Sequence, residues 1–318
     1  MGRAEPYRAR ALRQSEPPVI RCTQSKTAVV LWRWRRALQA VPRGTQTASG
    51  LDTMFAEPPE SAYDLRFRVL GVPVRVHPMF WFMALLLSGL GEPLEVLIWI
   101  VAVFVSIVVH ELGHCGAFRW YGTHAHVVLH GFGGLAIPHG VGRTGRGARG
   151  AWSQACIAFA GPAAGFALAA LLLGGMWLGG LAPKVWLNRE SLVGFGFDAS
   201  RVDERVAVLL YDLLFVNIWW GLFNLLPIYP LDGGHISRAL LAAADPRQGV
   251  ARSLMLSLVT AVGLGLVALW KVLRSEPPEQ EGGLVLVGRF WPVLLFGYLA
   301  WISYQALEQE RGGWRRDW

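Results

Sequence analysis

Two histidines four residues apart, with a glutamate directly after the first, are the chemically richest stretch of the chain: His110, Glu111 and His114 in VSIVVHELGHCGAFRWYG. On a helix a spacing of four returns a side chain to the same face, so both imidazoles can reach one divalent ion while the glutamate addresses a water molecule beside it. The chemistry of such a set is metal-assisted hydrolysis. A plainer reading is a polar pair at a helix end, satisfied by its neighbours. That reading is costly here, because the stretch follows a run apolar enough for lipid, where ionisable groups are rare and usually functional.

A catalytic zinc site typically takes three protein ligands and keeps a fourth position open. NIWWGLFNLLPIYPLDGGH offers the third ligand. Pro227 and Pro230 break a helix, Gly233 and Gly234 let the chain turn sharply, and Asp232 stands at the break as a carboxylate. Asp212 lies about 18 Å toward the other end of the same helix and is expected to be structural. His77, His124, His126, His130, His139 and His235 are spare ligands in principle, His235 foremost. Asn224, in the break, is expected either to hydrogen-bond the substrate backbone or a developing oxyanion, or to satisfy carbonyls that the break frees. Cys22, Cys115 and Cys156 are too scattered for a disulfide framework or a thiolate cluster.

The elements that must hold these groups read as membrane helices. Of 318 residues, 53% are hydrophobic and only 16% charged, against about 25% charged in a soluble domain. Six apolar runs, at about 78–91 (short), 94–118, 152–182, 205–226, 253–270 and 290–307, compare with the ~20 residues a helix needs to cross a bilayer. DLRFRVLGVPVRVHP reads as a strand before the first span. HVVLHGFGGLAIPHGVGRTGRG reads as a further strand with a glycine-rich turn, lining a cavity and offering an edge to which an unwound peptide could add. The expected fold is therefore an all-α polytopic membrane protein of about six transmembrane helices, with short β-strands near the cytoplasmic face. Arginines gather in the loops on the side of the N-terminus, which predicts a multi-pass cell-membrane protein with both termini cytoplasmic.

Residues 1–53 carry ten basic groups against Glu5, Glu16 and Asp52, a balance of +7 out of the chain's +8. This Arg-, Ser- and Pro-rich leader is expected to be disordered, with Met54 as an alternative start. Residues 54–318 are expected to form one membrane domain. Since almost all the excess charge sits in the leader, the chain is not read as a nucleic-acid binder.

HELGH in one span, FAGPAAG opening the next and NLLPIYPLDGG ending a later one together resemble the site-2 protease family of intramembrane zinc metalloproteases (peptidase family M50). The resemblance runs from about Tyr63 to Arg252. It implies one Zn2+ ion held by His110, His114 and Asp232, Glu111 as the catalytic base, and Asn224 as the asparagine of the NxxPxxxLDG pattern. It further implies peptide-bond hydrolysis in or near transmembrane segments, a transmembrane protein as substrate, such as a pre-cleaved single-span protein, and the lipid bilayer as surroundings. Family members often carry Asn shortly after the Gly-Pro, where this chain has Gly165. Two other functions stay open on sequence alone: a metal-binding membrane transporter, and an inactive relative that binds membrane proteins without cutting them.

Overall fold

The computed structural model describes residues 57–89, 91–131, 133–138, 150–188, 192–274 and 283–314, all within one compact unit, Ser49–Trp318. The leader and His139 lie outside the described residues.

The segment expected to be one strand is a hairpin. β1 (Leu65–Val69) pairs antiparallel with β2 (Val72–Val76), and the two residues between them, Leu70 (φ 51) and Gly71 (φ 81), both lie in the left-handed region. That is the geometry of a tight two-residue turn, whose twist matches that of the strands. α1 (Pro78–Leu87) and α2 (Pro93–Trp120) follow, and the chain then returns to pair β3 (Ala125–His130) parallel with β2. β4 (Gly133–Pro138) pairs antiparallel with β3 and, among the described residues, has no second strand partner in a sheet ordered β1-β2-β3-β4.

α3 (Ala151–Leu178), a second hairpin of β5 (Lys184–Asn188) and β6 (Leu192–Gly196), α4 (Glu204–Asn224), α5 (Asp232–Ala244), α6 (Gly249–Arg274) and α7 (Gly283–Trp314) complete the order. Asp203 caps α4, its carboxylate accepting from the Arg205 amide at 2.9 Å. Neither β5–β6 nor the separate α5 follows from the apolar runs.

Among the described residues five helices are long and apolar enough to cross a membrane: α2, α3, α4, α6 and the 290–311 part of α7. The first expected span is instead the ten-residue α1, about 15 Å long against a hydrocarbon core of about 30 Å. It stops where the Ser88 hydroxyl donates back to the Leu85 carbonyl at 2.7 Å and Gly89 turns away with φ 75.

Two apolar clusters fix the frame. Val74, Val76, Phe80, Ile107, Val127 and Leu129 bind the sheet to α1 and α2. Ile228, between α4 and α5, packs with Ala261 of α6 and Leu299 of α7. One polar anchor accompanies them: buried Arg75 of β2 pairs with Asp64 at 3.0 Å and Glu57 at 2.9 Å and donates to the Pro58 carbonyl. The segment 57–64 is thereby tied to the sheet.

Candidate metal centre

His110, Glu111 and His114 lie in the C-terminal half of α2, all three buried. The imidazole Nε2 atoms of His110 and His114 are 3.3 Å apart. Asp232, 122 residues on in the chain from His110, approaches that Nε2 with Oδ2 at 3.1 Å and the His114 Nε2 with Oδ1 at 3.3 Å.

These separations test whether the residues fit a metal. Tetrahedral zinc with bonds of about 2.0–2.1 Å places its donors about 3.3–3.4 Å apart, close to the 3.3 Å between the two imidazole nitrogens, and each imidazole has one of the two Asp232 oxygens at a similar distance. The protonation pattern agrees. His114 Nδ1 lies 2.7 Å from the Ile157 carbonyl, so Nδ1 carries the hydrogen and Nε2 presents a lone pair to the centre. The donor set, two imidazoles and a carboxylate, suits zinc. Glu111 is the other carboxylate at hand, with an oxygen within 4.8 Å of the histidine ligand atoms. Both carboxylates thus stand beside the two imidazole nitrogens, Asp232 at 3.1 and 3.3 Å.

Asp232 is held by a construction that spans three helices. After α4 ends at Asn224, the chain crosses Leu225–Leu231 before α5 begins at Asp232. The glycines after Asp232 serve close approach: a Cβ on Gly234 would come within 2.6 Å of the Ile228 backbone, and one on Gly233 would overlap the Leu225 and Leu226 carbonyls. Neither glycine has a positive φ, so the expectation of a sharp glycine turn is replaced by tight packing of α5 under the break. Pro230 lacks an amide hydrogen, and the polar groups of its neighbour are met from elsewhere. The Tyr229 amide donates to Ser257 Oγ of α6 at 3.1 Å, and the Tyr229 carbonyl accepts from Ser303 Oγ of α7 at 3.3 Å.

α3 reaches the centre through the small residues of FAGPAAG. A Cβ at Gly161 would stand 2.6 Å from His114 Cε1 and 2.7 Å from His110 Nε2. Across the same contact, a Cβ at Gly113 of α2 would lie 2.7 Å from the Ala164 methyl. Gly165, at the departure from the family pattern, faces Asn217 of α4: a Cβ there would meet the Asn217 carbonyl and Oδ1, each at 3.4 Å. Asn217 is buried and donates to Ser106 Oγ of α2 at 2.8 Å, one turn before His110. The amide at this level thus comes from α4.

The centre opens into a cavity of about 1280 Å³, lined by His110, Glu111, His114, Asn224 and Asp232 and by residues of β4. Among the described residues β4 is an edge strand of the sheet, and a Cβ at Gly134 would overlap the Glu111 side chain, so the strand passes against that carboxylate. Asn224 Nδ2 donates to the Trp220 carbonyl at 3.0 Å, which satisfies one of the carbonyls near the helix end and leaves the amide's second hydrogen and its oxygen for other partners. His130 and His235 line the cavity. Asp212 and Cys115 are not among its lining residues.

Sequence reasoning brought His110, His114, Glu111, Asp232 and Asn224 to one cavity. It missed Gly161, Ser257 and Ser303. Gly161 had a signal, since a run of small residues within an apolar helix marks close contact. The two serines had none, lying in helices whose sequence matches nothing specific.

A family model described as peptidase family M50 matches residues 98–268. A zinc metalloprotease of Methanocaldococcus jannaschii is 30% identical over 185 residues, 57% of this chain and 46% of that protein. Rip3 of Mycobacterium tuberculosis, named as a candidate zinc metalloprotease, is 30% identical over 264 residues, 76% of this chain and 57% of that protein. The chain spans about half the length of the curated relatives it matches. Among solved structures, the site-2 protease of Methanocaldococcus jannaschii is similar with a TM-score of 0.46 and 23% identity, covering 77% of this chain and 95% of that one.

Proposed function

The chain belongs to peptidase family M50, and from that membership we propose that it is an intramembrane zinc metalloprotease that hydrolyses peptide bonds in or near the transmembrane segments of membrane proteins. The observation that carries the reading is the approach of one carboxylate, from the far side of a broken helix, to two imidazoles at 3.1 and 3.3 Å, with a second carboxylate beside them.

In this reading His110, His114 and Asp232 hold Zn2+. When bound there, the ion would supply Lewis acidity to a substrate carbonyl and lower the pKa of a water molecule. Glu111 accepts the water proton on its carboxylate and delivers it to the nitrogen of the departing amine. His114 is held in its metal-binding tautomer by the Ile157 carbonyl. Asn224 turns its remaining N–H toward the substrate backbone. The cavity shields the reacting groups, and the free edge of β4 receives an unwound stretch of substrate as an added strand, which supplies the backbone partners a peptide loses on leaving its helix.

The finer assignments belong to the same proposal. Residues 54–318 form the membrane protease domain, behind a basic leader at 1–53. α1 joins the five long helices as a sixth, shallow element, and the four-stranded sheet and both termini face the cytoplasm. The substrate is a membrane protein, and a single-span protein already trimmed by another protease suits a cavity reached from within the bilayer.

The test is metal analysis of the purified protein together with cleavage of co-expressed membrane substrates. Glu111→Gln is expected to keep one zinc per chain and lose cleavage, and Asp232→Ala to lose zinc. An Asp232→Ala protein with full zinc, or a Glu111→Gln protein that cuts like the wild type, overturns the assignment.

A further inference from the structure

α5 does more than present Asp232 to the cavity. His235, Arg238 and Ala239, at offsets of three, six and seven, line the same cavity. Arg238 is exposed there, and among the described residues it has no ion-pair partner. The other arginines of this part of the chain are partnered or lie outside the cavity: Arg252 pairs with Asp245 at 3.1 Å, and Arg247 does not line the cavity. The cavity wall is otherwise mostly apolar, with Trp219, Trp220, Phe223, Leu295 and Leu299 among its residues. The planar fork of a guanidinium matches a carboxylate with two parallel hydrogen bonds.

Position narrows the ligand. Six residues of helix separate Arg238 from Asp232, a rise of about 9 Å, which is the length of about three residues of extended peptide. A strand that ran alongside α5 with its reacting carbonyl at the metal centre would pass Arg238 with a residue two to four places from the scissile bond. We propose that Arg238 is a carboxylate-binding subsite that selects substrates bearing an acidic side chain or a free chain end at that distance. The proposal rests on the protease reading for its choice of a peptide as ligand. The alternative anion, a lipid phosphate, would be expected at the rim of the bilayer, away from a wall shared with the metal ligands.

The experiment uses the full chain in phosphatidylcholine nanodiscs. The Glu111→Gln protein is titrated with fluorescein-labelled apolar peptides in which a single Glu or its Gln counterpart is moved stepwise along the sequence. At one position Glu is expected to bind about tenfold more tightly than Gln, the effect of a charge-assisted hydrogen bond. That preference disappears in Arg238→Gln and is partly kept in Arg238→Lys. Peptides ending in a carboxylate or an amide at the same place separate a chain end from a side chain. In protein with Glu111 intact the preference appears in KM with kcat little changed, and the mapped cut lies two to four residues from the Glu. Equal Glu and Gln binding at all positions, or a preference that survives Arg238→Gln, overturns the proposal. So does a result in which Arg238→Gln changes only the response to phosphatidylglycerol in the nanodisc, which assigns the site to lipid. A Glu preference without any cleavage leaves the subsite standing and removes the protease reading instead.

Discussion

Replacing Gly161 by alanine adds one methyl group at the contact between α3 and the imidazoles of His110 and His114. The new Cβ would stand 2.6 Å from His114 Cε1 and 2.7 Å from His110 Nε2, about 1 Å inside the 3.5–4.0 Å at which such atoms attract. Two relaxations are open. If the helices separate, the close seam between Gly113 and Ala164 opens as well, and overpacking of this kind costs about 1–3 kcal/mol. If the imidazoles swing aside instead, they move by more than the ~0.2 Å that separates good coordination distances from bad ones. Either way the strain falls most heavily on the state in which both rings point at one ion. Zinc affinity is therefore expected to drop by about 5- to 150-fold, which is 1–3 kcal/mol expressed as a ratio. The assay is competition for zinc against a chromophoric chelator on detergent-purified protein, with thermal unfolding alongside. Gly174→Ala is the matched control, because it lies on the same helix and its Cβ would meet nothing within 4 Å; it should leave affinity unchanged and raise helix stability by up to about 1 kcal/mol. If Gly161→Ala bound zinc and melted as Gly174→Ala does, the packing argument for this helix would be wrong.

Three further outcomes are expected. Ser257→Ala leaves the Tyr229 amide without its acceptor and should cost about 1–3 kcal/mol, read as a lower Tm; an unchanged Tm would show that the break does not depend on α6. Asn217→Ala removes the tie to Ser106 one turn before His110 and should destabilise by a similar amount, whereas Asn217→Ser, which keeps a hydroxyl, should recover part of it in the same melt. Asp64 supplies a pH dependence. Burial alone would raise its pKa, but the Ser61 amide and Arg75 hold the carboxyl below its usual range. Its contribution is then fully present above the unfolded pKa of about 3.9 and is lost as pH falls through the lower folded value. The Tm gap between wild type and Asp64→Asn should accordingly be constant from pH 7 to about pH 5 and shrink below about pH 4; a gap that shrank between pH 7 and pH 6 would point to a different group.

The helical placement of HELGH was legible because its signal is local. Four residues of helix are enough to put His110 and His114 on one face, and the apolar run before them fixes α2 within about two residues at each end. The break after Asn224 was legible through Pro227 and Pro230, which remove two amide donors within four residues. Less could be read where the cause lies across the fold. Leu70 and Gly71 turn the expected first strand into a hairpin, and the turn depends on both backbones adopting positive φ, which Leu70 does not advertise. The short α1 shows the same limit: its apolar run suggested a longer helix, but the Ser88 hydroxyl and Gly89 end it early. Gly161 and Ser303 act on residues 47 or more and 74 positions away respectively, and no periodicity in their own helices records those partners.

The serine contacts to Tyr229 also bear on how variants of this chain should be judged. Every group expected to bind zinc or move a proton lies before residue 233, yet the peptide that delivers Asp232 is fastened by hydroxyls from helices that contribute no ligand. A shortened or rearranged chain could keep HELGH and LDGG letter for letter and still have its carboxylate arm adrift. Intact signatures would then certify only the chemistry's vocabulary, and the fitness of such a chain would have to be read from Ser257 and Ser303.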